Sequence, residues 1–436
     1  MRSIYLSSAL FFLFSVTAFG QGTSQKVFVA DIDNFWAAYD SIQTTNDSTQ
    51  QIAYIKKLYI DKGSAGLKSF MMVRSNSAEK WVRLIRQSPK FWSSIRPNTL
   101  AVKDKADLIE NRIQKLKELY PQLSEAKMYF TIGGLNSGGT TVNKMILIGC
   151  EIATGTVNTD VSDLPQNTGK WLGSVFKEQD LNNIVPLNIH EYIHTQQKSG
   201  EPSALLGLAI REGSCDFITE LVMEKPMMNN YIQYGRAHDN ELKEEFKKEM
   251  FTNSSANWLY NGSKSSTVGD LGYYMGYIIC KSYYNQAIDK KKAIAEIIEL
   301  NYSDSNAIEN FLAQSKYYNE KLDKKSLVEA FETKRPSIVS IDPLKGDSVL
   351  DATVQEMTIV FSEPMRSNEY SINPGKKGKE SFPFVDVVGF STDKKSLTLK
   401  MKLETNRSYE FVIPANGFTS ASGYPLRRYV VKFSTK

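Results

Sequence analysis

The sequence predicts an α+β domain that is entered through a helical region and followed by an all-β sandwich. Three observations carry this expectation. Between residues 21 and 126 apolar residues recur at helical spacing, and between 127 and 335 two short apolar strands are followed by long helices. The last hundred residues, 337–436, break into short alternating runs separated by turn residues. At 436 residues, 41% hydrophobic and 11% aromatic, the chain is long enough for two or three domains.

The first element reads as a leader. Arg2 supplies a positive start, Leu10-Phe11-Phe12-Leu13-Phe14 forms an apolar centre, and Ala18-Phe19-Gly20 has the small-x-small pattern of a cleavage site. A signal peptide over residues 1–20 is expected, with an uncleaved anchor as the alternative. The mature protein would then be secreted, periplasmic or on the cell surface. No later stretch is apolar for long enough to span a bilayer. Net charge is +5 with no long Lys/Arg block, which argues against nucleic acid as a partner. Cys150, Cys215 and Cys280 are odd in number and sit in apolar text, so buried thiols are expected and a Cys-rich metal site is excluded by count.

The helical region, 21–126, carries the stripes Ile32, Phe35, Trp36, Tyr39 and Ile109, Ile113, Leu116, Tyr120, the second stopped by Pro121. It offers no metal or nucleophile chemistry and reads as support for the next region.

Region 127–335 opens with a strand, Met128–Ile132, then a turn-rich run from Gly133 to Gly139, then a second strand, Met145–Gly149. The turn lacks both G-K-[ST] and G-x-G-x-x-G, so it is no phosphate loop. The first strand is read as an edge to which an extended peptide substrate could add. A helix starting near Pro186, a break at Ser199-Gly200-Glu201-Pro202, a helix over Ser203–Met223, a loop from Asn253 to Asp270 and a helix over Gly272–Tyr284 follow.

The helix after Pro186 contains His190-Glu191-Tyr192-Ile193-His194, the pattern H-E-x-x-H, and two of the chain's three histidines lie in it. Residues four apart share a helix face, so both imidazoles can reach one metal ion, and Glu191 is placed to take a proton from water polarised by that ion. A catalytic zinc needs a third protein ligand and one open position. No histidine follows within reach. On the next helix Glu212 is the expected ligand, with Glu220 as its rival, and Asp216, one turn beyond Glu212, is expected to accept the second N–H of a ligating imidazole. Both carboxylates sit among Leu205, Leu206, Ile210, Phe217 and Ile218, where an idle charge is costly.

His190, Glu191, His194, Glu212 and Asp216 together resemble the gluzincin group of zinc peptidases. The middle region is also similar to uncharacterised bacterial predicted zinc-dependent proteases, through Ile132-Gly133-Gly134, the motif helix, Glu212-Gly213 and Gly272-Tyr273-Tyr274-Met275-Gly276-Tyr277. The resemblance implies a zincin-like catalytic domain, a Zn2+ cofactor, a peptide or protein substrate, Glu191 as general base, and a Tyr or His that stabilises the oxyanion. Tyr273 is favoured for that last role over Tyr274, Tyr277 and His238. Two features depart from the group. The G-x-M-E-N segment of many aminopeptidases is missing, and Arg211 stands where an Asn often precedes the ligand Glu.

In the last region Thr358–Phe361, the alternating Leu397, Leu399, Met401 and Leu403, Tyr409–Ile413 and Tyr429–Phe433 read as strands. Phe361-Ser362-Glu363-Pro364-Met365 resembles bacterial Ig-like domains, which implies a spacer or an adhesive contact at the cell surface. Three functions are therefore expected in competition: a secreted zinc peptidase, a surface-binding protein with an inactive zincin-like domain, and a zinc hydrolase of non-peptide bonds. The intact Glu191 favours an active site over a structural one.

Overall fold

The stripe Ile32, Phe35, Trp36 and Tyr39 folds as the helix Ala30–Ile42, with all four side chains buried. In this computed structural model, which describes residues 25–436 except 178, 199, 263–267 and 345–348, five more α-helices complete the first region. They are Ser48–Ile55, Ala65–Arg74, Ala78–Gln87, Pro89–Ala101 and Ala106–Leu119. Asp47, Ser64 and Ser77 start three of them by accepting backbone N–H groups of the first turn. The leader expected at 1–20 lies outside the described residues.

A four-stranded sheet ties this region to the next. Val27–Phe28 (β1) pairs in parallel with Lys127–Thr131 (β2). After Gly139–Val142 (β3), Met145–Gly149 (β4) pairs in parallel with β2 and antiparallel with β3, giving the order β1-β2-β4-β3. The core runs without a break from Phe35, Tyr59 and Trp92 through Phe130 and Ile148 to Ile189, Phe217 and Tyr277. One expectation is corrected here. β2 is interior, with a neighbour on each side and Met128 to Thr131 buried, so its backbone groups are already paired and no peptide can add to it. The turn after β2 has a structural partner. The buried Glu151 carboxylate accepts the N–H groups of Gly133 and Leu135, both at 2.8 Å.

The motif helix spans Ile184–His194, with Pro186 in its first turn where a missing N–H costs nothing. It is followed by the helix Leu205–Met223 and, after a loop, by the helix Leu271–Gln286. The last two cross backbone to backbone. A Cβ on Gly213 would lie 2.1 Å from Tyr277 N, and one on Gly276 would lie 1.7 Å from Ala209 O. Only glycine permits that approach, and it brings Glu212 and Tyr273, the neighbours of the crossing, to the same side of the core.

The C-terminal region is a sandwich. Ile338–Asp342 (β5), Val349–Leu350 (β6), Glu356–Phe361 (β7), Met365–Tyr370 (β8) and Asn373–Pro374 (β9) come first. Phe384–Phe390 (β10), Ser396–Met401 (β11), Ser408–Ile413 (β12), Phe418–Ser420 (β13) and Tyr429–Thr435 (β14) complete it. The sheets β10-β11-β7-β5 and β6-β14-β12-β9, with the pair β13-β8, enclose a separate core built on Ile359, Phe361, Met365, Leu397, Phe411 and Phe433. Arg335 joins the two halves by donating to the carbonyls of Pro425 and Leu426, each at 2.9 Å.

Candidate metal centre

The motif helix presents His190 and His194 on one face, and their Nε2 atoms approach to 3.1 Å. Glu212, from the helix Leu205–Met223, places Oε2 at 3.2 Å from His194 Nε2 and 3.7 Å from His190 Nε2. The far nitrogen of each ring is already held. His190 Nδ1 donates to Asp216 Oδ1 at 2.8 Å, and Asp216 Oδ2 accepts the Tyr231 hydroxyl at 3.0 Å. His194 Nδ1 donates to Gln197 Oε1 at 2.8 Å. The Gln197 amide has no choice of orientation, because its Nε2 donates to Arg211 O at 2.8 Å and to Ser214 Oγ at 2.9 Å. With both Nδ1 atoms carrying hydrogen, both Nε2 lone pairs point at each other and at a carboxylate oxygen. Three potential acceptors meet in a mostly buried site, a meeting that a proton or a metal cation stabilises.

Electrostatics state the same demand in protons. Burial alone would push the His190 imidazolium down, but Asp216, Glu212 and Glu191 outweigh it and raise the group to about 10. For His194, too, burial acts downward and is outweighed, by Cys215 and Glu212, so that the group lies well above the ordinary histidine range. Burial would raise the Glu212 carboxyl, yet the two imidazoles hold it well below the usual carboxylate range.

The donor set also fits a metal in size. The circle through His190 Nε2, His194 Nε2 and Glu212 Oε2 has a radius of about 1.9 Å. That spacing is compatible with His190, His194 and Glu212 together holding one cation at the usual zinc distances of about 2.0–2.2 Å. Cys215 offers a competing set, because His190, His194 and Cys215 have ligand atoms within 4.8 Å of one another. Its Sγ lies 3.4 Å from His194 Nδ1, on the far side of that ring from the converging Nε2 atoms. Burial pushes its thiol up to about 11. The geometry favours Glu212.

A cleft of about 350 Å3 opens onto this centre. Glu191 lies in its wall, half-buried, with no hydrogen-bond donor to its carboxylate among the described residues. Tyr273 lines the same cleft, its ring 6.2 Å from that of His190. The other oxyanion candidates are held elsewhere. Tyr274 donates to Asp239, Tyr277 donates to Glu220, and His238 stacks on Tyr234 while bonding its carbonyl. Glu220 binds Arg236 and Lys281 at 2.8 Å each and is not at the centre.

Three groups at the site were not singled out from the sequence. Gln197 orients His194, Tyr231 supports Asp216, and the Tyr260 hydroxyl donates to Glu212 Oε1 at 3.1 Å. Only Gln197, three residues beyond His194 in the bend that follows the motif helix, left a usable trace. All three cysteines are free and buried.

Comparison with known proteins reaches only part of the chain. No curated protein matches it. Among solved structures, the S-layer protein SbsC in its crystal structure covers 76% of this chain and 45% of its own, at 12% identity and a TM-score of 0.18. The surface layer protein SbsC, domains 1–6, covers 75% and 45% at 11% identity, again with a TM-score of 0.18. The chain thus spans less than half of these two structures, and likeness at that level carries no argument about fold or function. Residues 332–435 match the family model of the bacterial Ig-like domain, and the sandwich at the C-terminus is a domain of that kind.

Proposed function

We propose that the protein is an exported zinc-dependent peptidase with an Ig-like domain at its C-terminus. The convergence of His190 Nε2, His194 Nε2 and Glu212 Oε2, with both Nδ1 atoms committed elsewhere, is the observation that supports this reading. Two imidazole nitrogens and one carboxylate oxygen suit Zn2+, and these three residues would hold it. When bound, zinc supplies Lewis acidity that polarises a carbonyl and acidifies water.

The chain's own groups do the rest. Asp216 and Gln197 fix the imidazole tautomers. Glu191 takes the proton of the attacking water and delivers it to the leaving amine. Tyr273 gives its hydroxyl hydrogen bond to the oxyanion. Burial and the nearby Glu212 carboxylate raise its pKa far above the ordinary tyrosine range, so it stays protonated as a donor must. A purely adhesive role would leave Glu191 without a purpose in the cleft wall. Export agrees with the Ig-like domain, a type found in extracellular bacterial proteins.

The test is a peptide-library digest with the wild type beside Glu191→Gln, together with metal analysis. About one zinc per chain is expected, lost in His190→Ala. Cleavage by the wild type should fall by about 10²–10⁴-fold in Glu191→Gln while the metal stays. A wild type that cleaves nothing, or a Glu191→Gln variant of equal activity, overturns the proposal.

A further inference from the structure

One loop touches both the candidate centre and the Ig-like domain. Asn257 faces the Ig-like domain. Its Oδ1 accepts from Arg366 Nη2 at 3.2 Å, and its Nδ2 lies 3.4 Å from Gly423 O and 3.3 Å from each Glu249 carboxylate oxygen. Gly423 has a φ of +92°, and a Cβ there would sit 2.2 Å from Asn257 Oδ1, so the turn admits Asn257 only because it lacks a side chain.

Three residues further on, Tyr260 reaches the centre. Its hydroxyl donates to Glu212 Oε1 at 3.1 Å, the oxygen that does not face His194. The connection between the two contacts is taut. Trp258 and Leu259 are buried, Trp258 against Phe246, and Gly272 N donates to Trp258 O at 2.7 Å. Asn261 and Asp270 then close the loop reciprocally: Asn261 N donates to Asp270 Oδ1 at 2.9 Å and Asp270 N to Asn261 Oδ1 at 2.7 Å. Tyr260 itself has a left-handed backbone (φ +58°) and is 60% exposed. Among the described residues, its one side-chain hydrogen bond is the one to Glu212. It is held in place by the loop around it, not by burial.

We infer that the Ig-like domain acts on the metal centre through this strap, gripping it at Asn257 so that Tyr260 holds Glu212 in its ligating rotation. The inference rests on the reading of that centre as a zinc site. It gives the appended domain a regulatory part: whatever displaces it from Asn257 loosens a ligand of the centre. Tyr260 is a positioning residue, because it acts through Glu212.

Zinc affinity of the full-length chain, measured by chelator competition, tests this. Removing a group that orients a ligand costs about 10–100-fold in metal affinity, and an exposed tyrosine belongs at the low end. Tyr260→Phe is expected to weaken zinc by about 10-fold. Arg366→Ala is expected to weaken it by about 3- to 10-fold, with recovery in Arg366→Lys, which can still donate to Asn257. The double variant Tyr260→Phe with Arg366→Ala should bind as the single Tyr260→Phe does, because the two act in series. Arg427→Ala removes a different contact of the Ig-like domain, the 3.1 Å pair with Glu332, and should leave zinc affinity unchanged. Zinc affinity of Arg366→Ala equal to wild type, additive losses in the double variant, or an equal loss in Arg427→Ala would each overturn the inference while leaving the zinc site standing. A wild type that binds no zinc removes both.

Discussion

Replacing Asp216 by Asn tests the argument that donor direction defines the centre. Asp216 is 2% exposed and receives two hydrogen bonds, from His190 Nδ1 at 2.8 Å and from the Tyr231 hydroxyl at 3.0 Å. The substitution keeps the shape and removes the charge. A hydrogen bond to an ionised group contributes about 1.5–3 kcal/mol and a neutral one about 0.5–1.5 kcal/mol. The change is therefore worth about 1–1.5 kcal/mol, or roughly tenfold in zinc affinity. The amide N–H2 adds to the effect, since it cannot accept from Tyr231 while its oxygen faces His190. Chelator competition gives the affinity, and a thermal melt of the zinc-loaded protein checks that the fold survives. Zinc affinity unchanged within twofold in a folded Asp216→Asn protein would mean that His190 is not oriented by this bond. The assignment of its Nε2 as the metal-facing atom would then fail.

Protonation of the centre gives a second expectation, for protein stripped of metal. The folded pKa of His190, about 10, lies above its ordinary value of 6.5. Its charged pairing therefore stabilises the fold fully below pH about 6.5 and is lost as pH rises towards about 10. Metal-free protein should melt at falling temperature across that window and zinc-loaded protein should not; parallel curves in calorimetry would contradict this. Cys215→Ser should keep zinc affinity within about threefold, because the sulfur lies on the Nδ1 side of His194 and is no ligand; loss of the metal would replace Glu212 by a thiolate in the donor set. Gly213→Ala should cost at least about 2 kcal/mol in denaturant unfolding, because its Cβ would meet Tyr277 N at 2.1 Å with no side chain able to yield. A variant as stable as wild type would show that the two helices do not cross this closely.

The grouping of the residues at the candidate centre was legible because it is written at helical period. His190 with His194, and Glu212 with Asp216, are pairs four residues apart, and each helix turns its pair inward as the spacing requires. Tyr231 and Tyr260 were not legible, since each reaches its partner from another element, 15 and 48 residues away along the chain. The misreading of β2 has a physical lesson. Met128-Tyr129-Phe130-Thr131 is continuous apolar text without alternation, the mark of a strand covered on both faces between parallel neighbours. β1 is only two residues long, too short to register in the sequence, and it is the neighbour that turns β2 from an edge into an interior strand.

One helix, Leu205–Met223, accounts for the order of the whole centre. It carries Glu212, the third donor, and Asp216, which orients His190. It also supplies Arg211 O and Ser214 Oγ, which fix the Gln197 amide and through it the tautomer of His194. Its Gly213 meets Gly276, which sets Tyr273 beside the same cleft. Every group that aims the two imidazoles is thus tied to one rigid rod by bonds of fixed direction, the condition under which converging donors hold their geometry before a ligand arrives. Tyr260 is the exception, because it comes from a loop. Among the described groups that position the centre, it alone reports to another domain, so regulation has its opening at Glu212 Oε1 and not at the histidines.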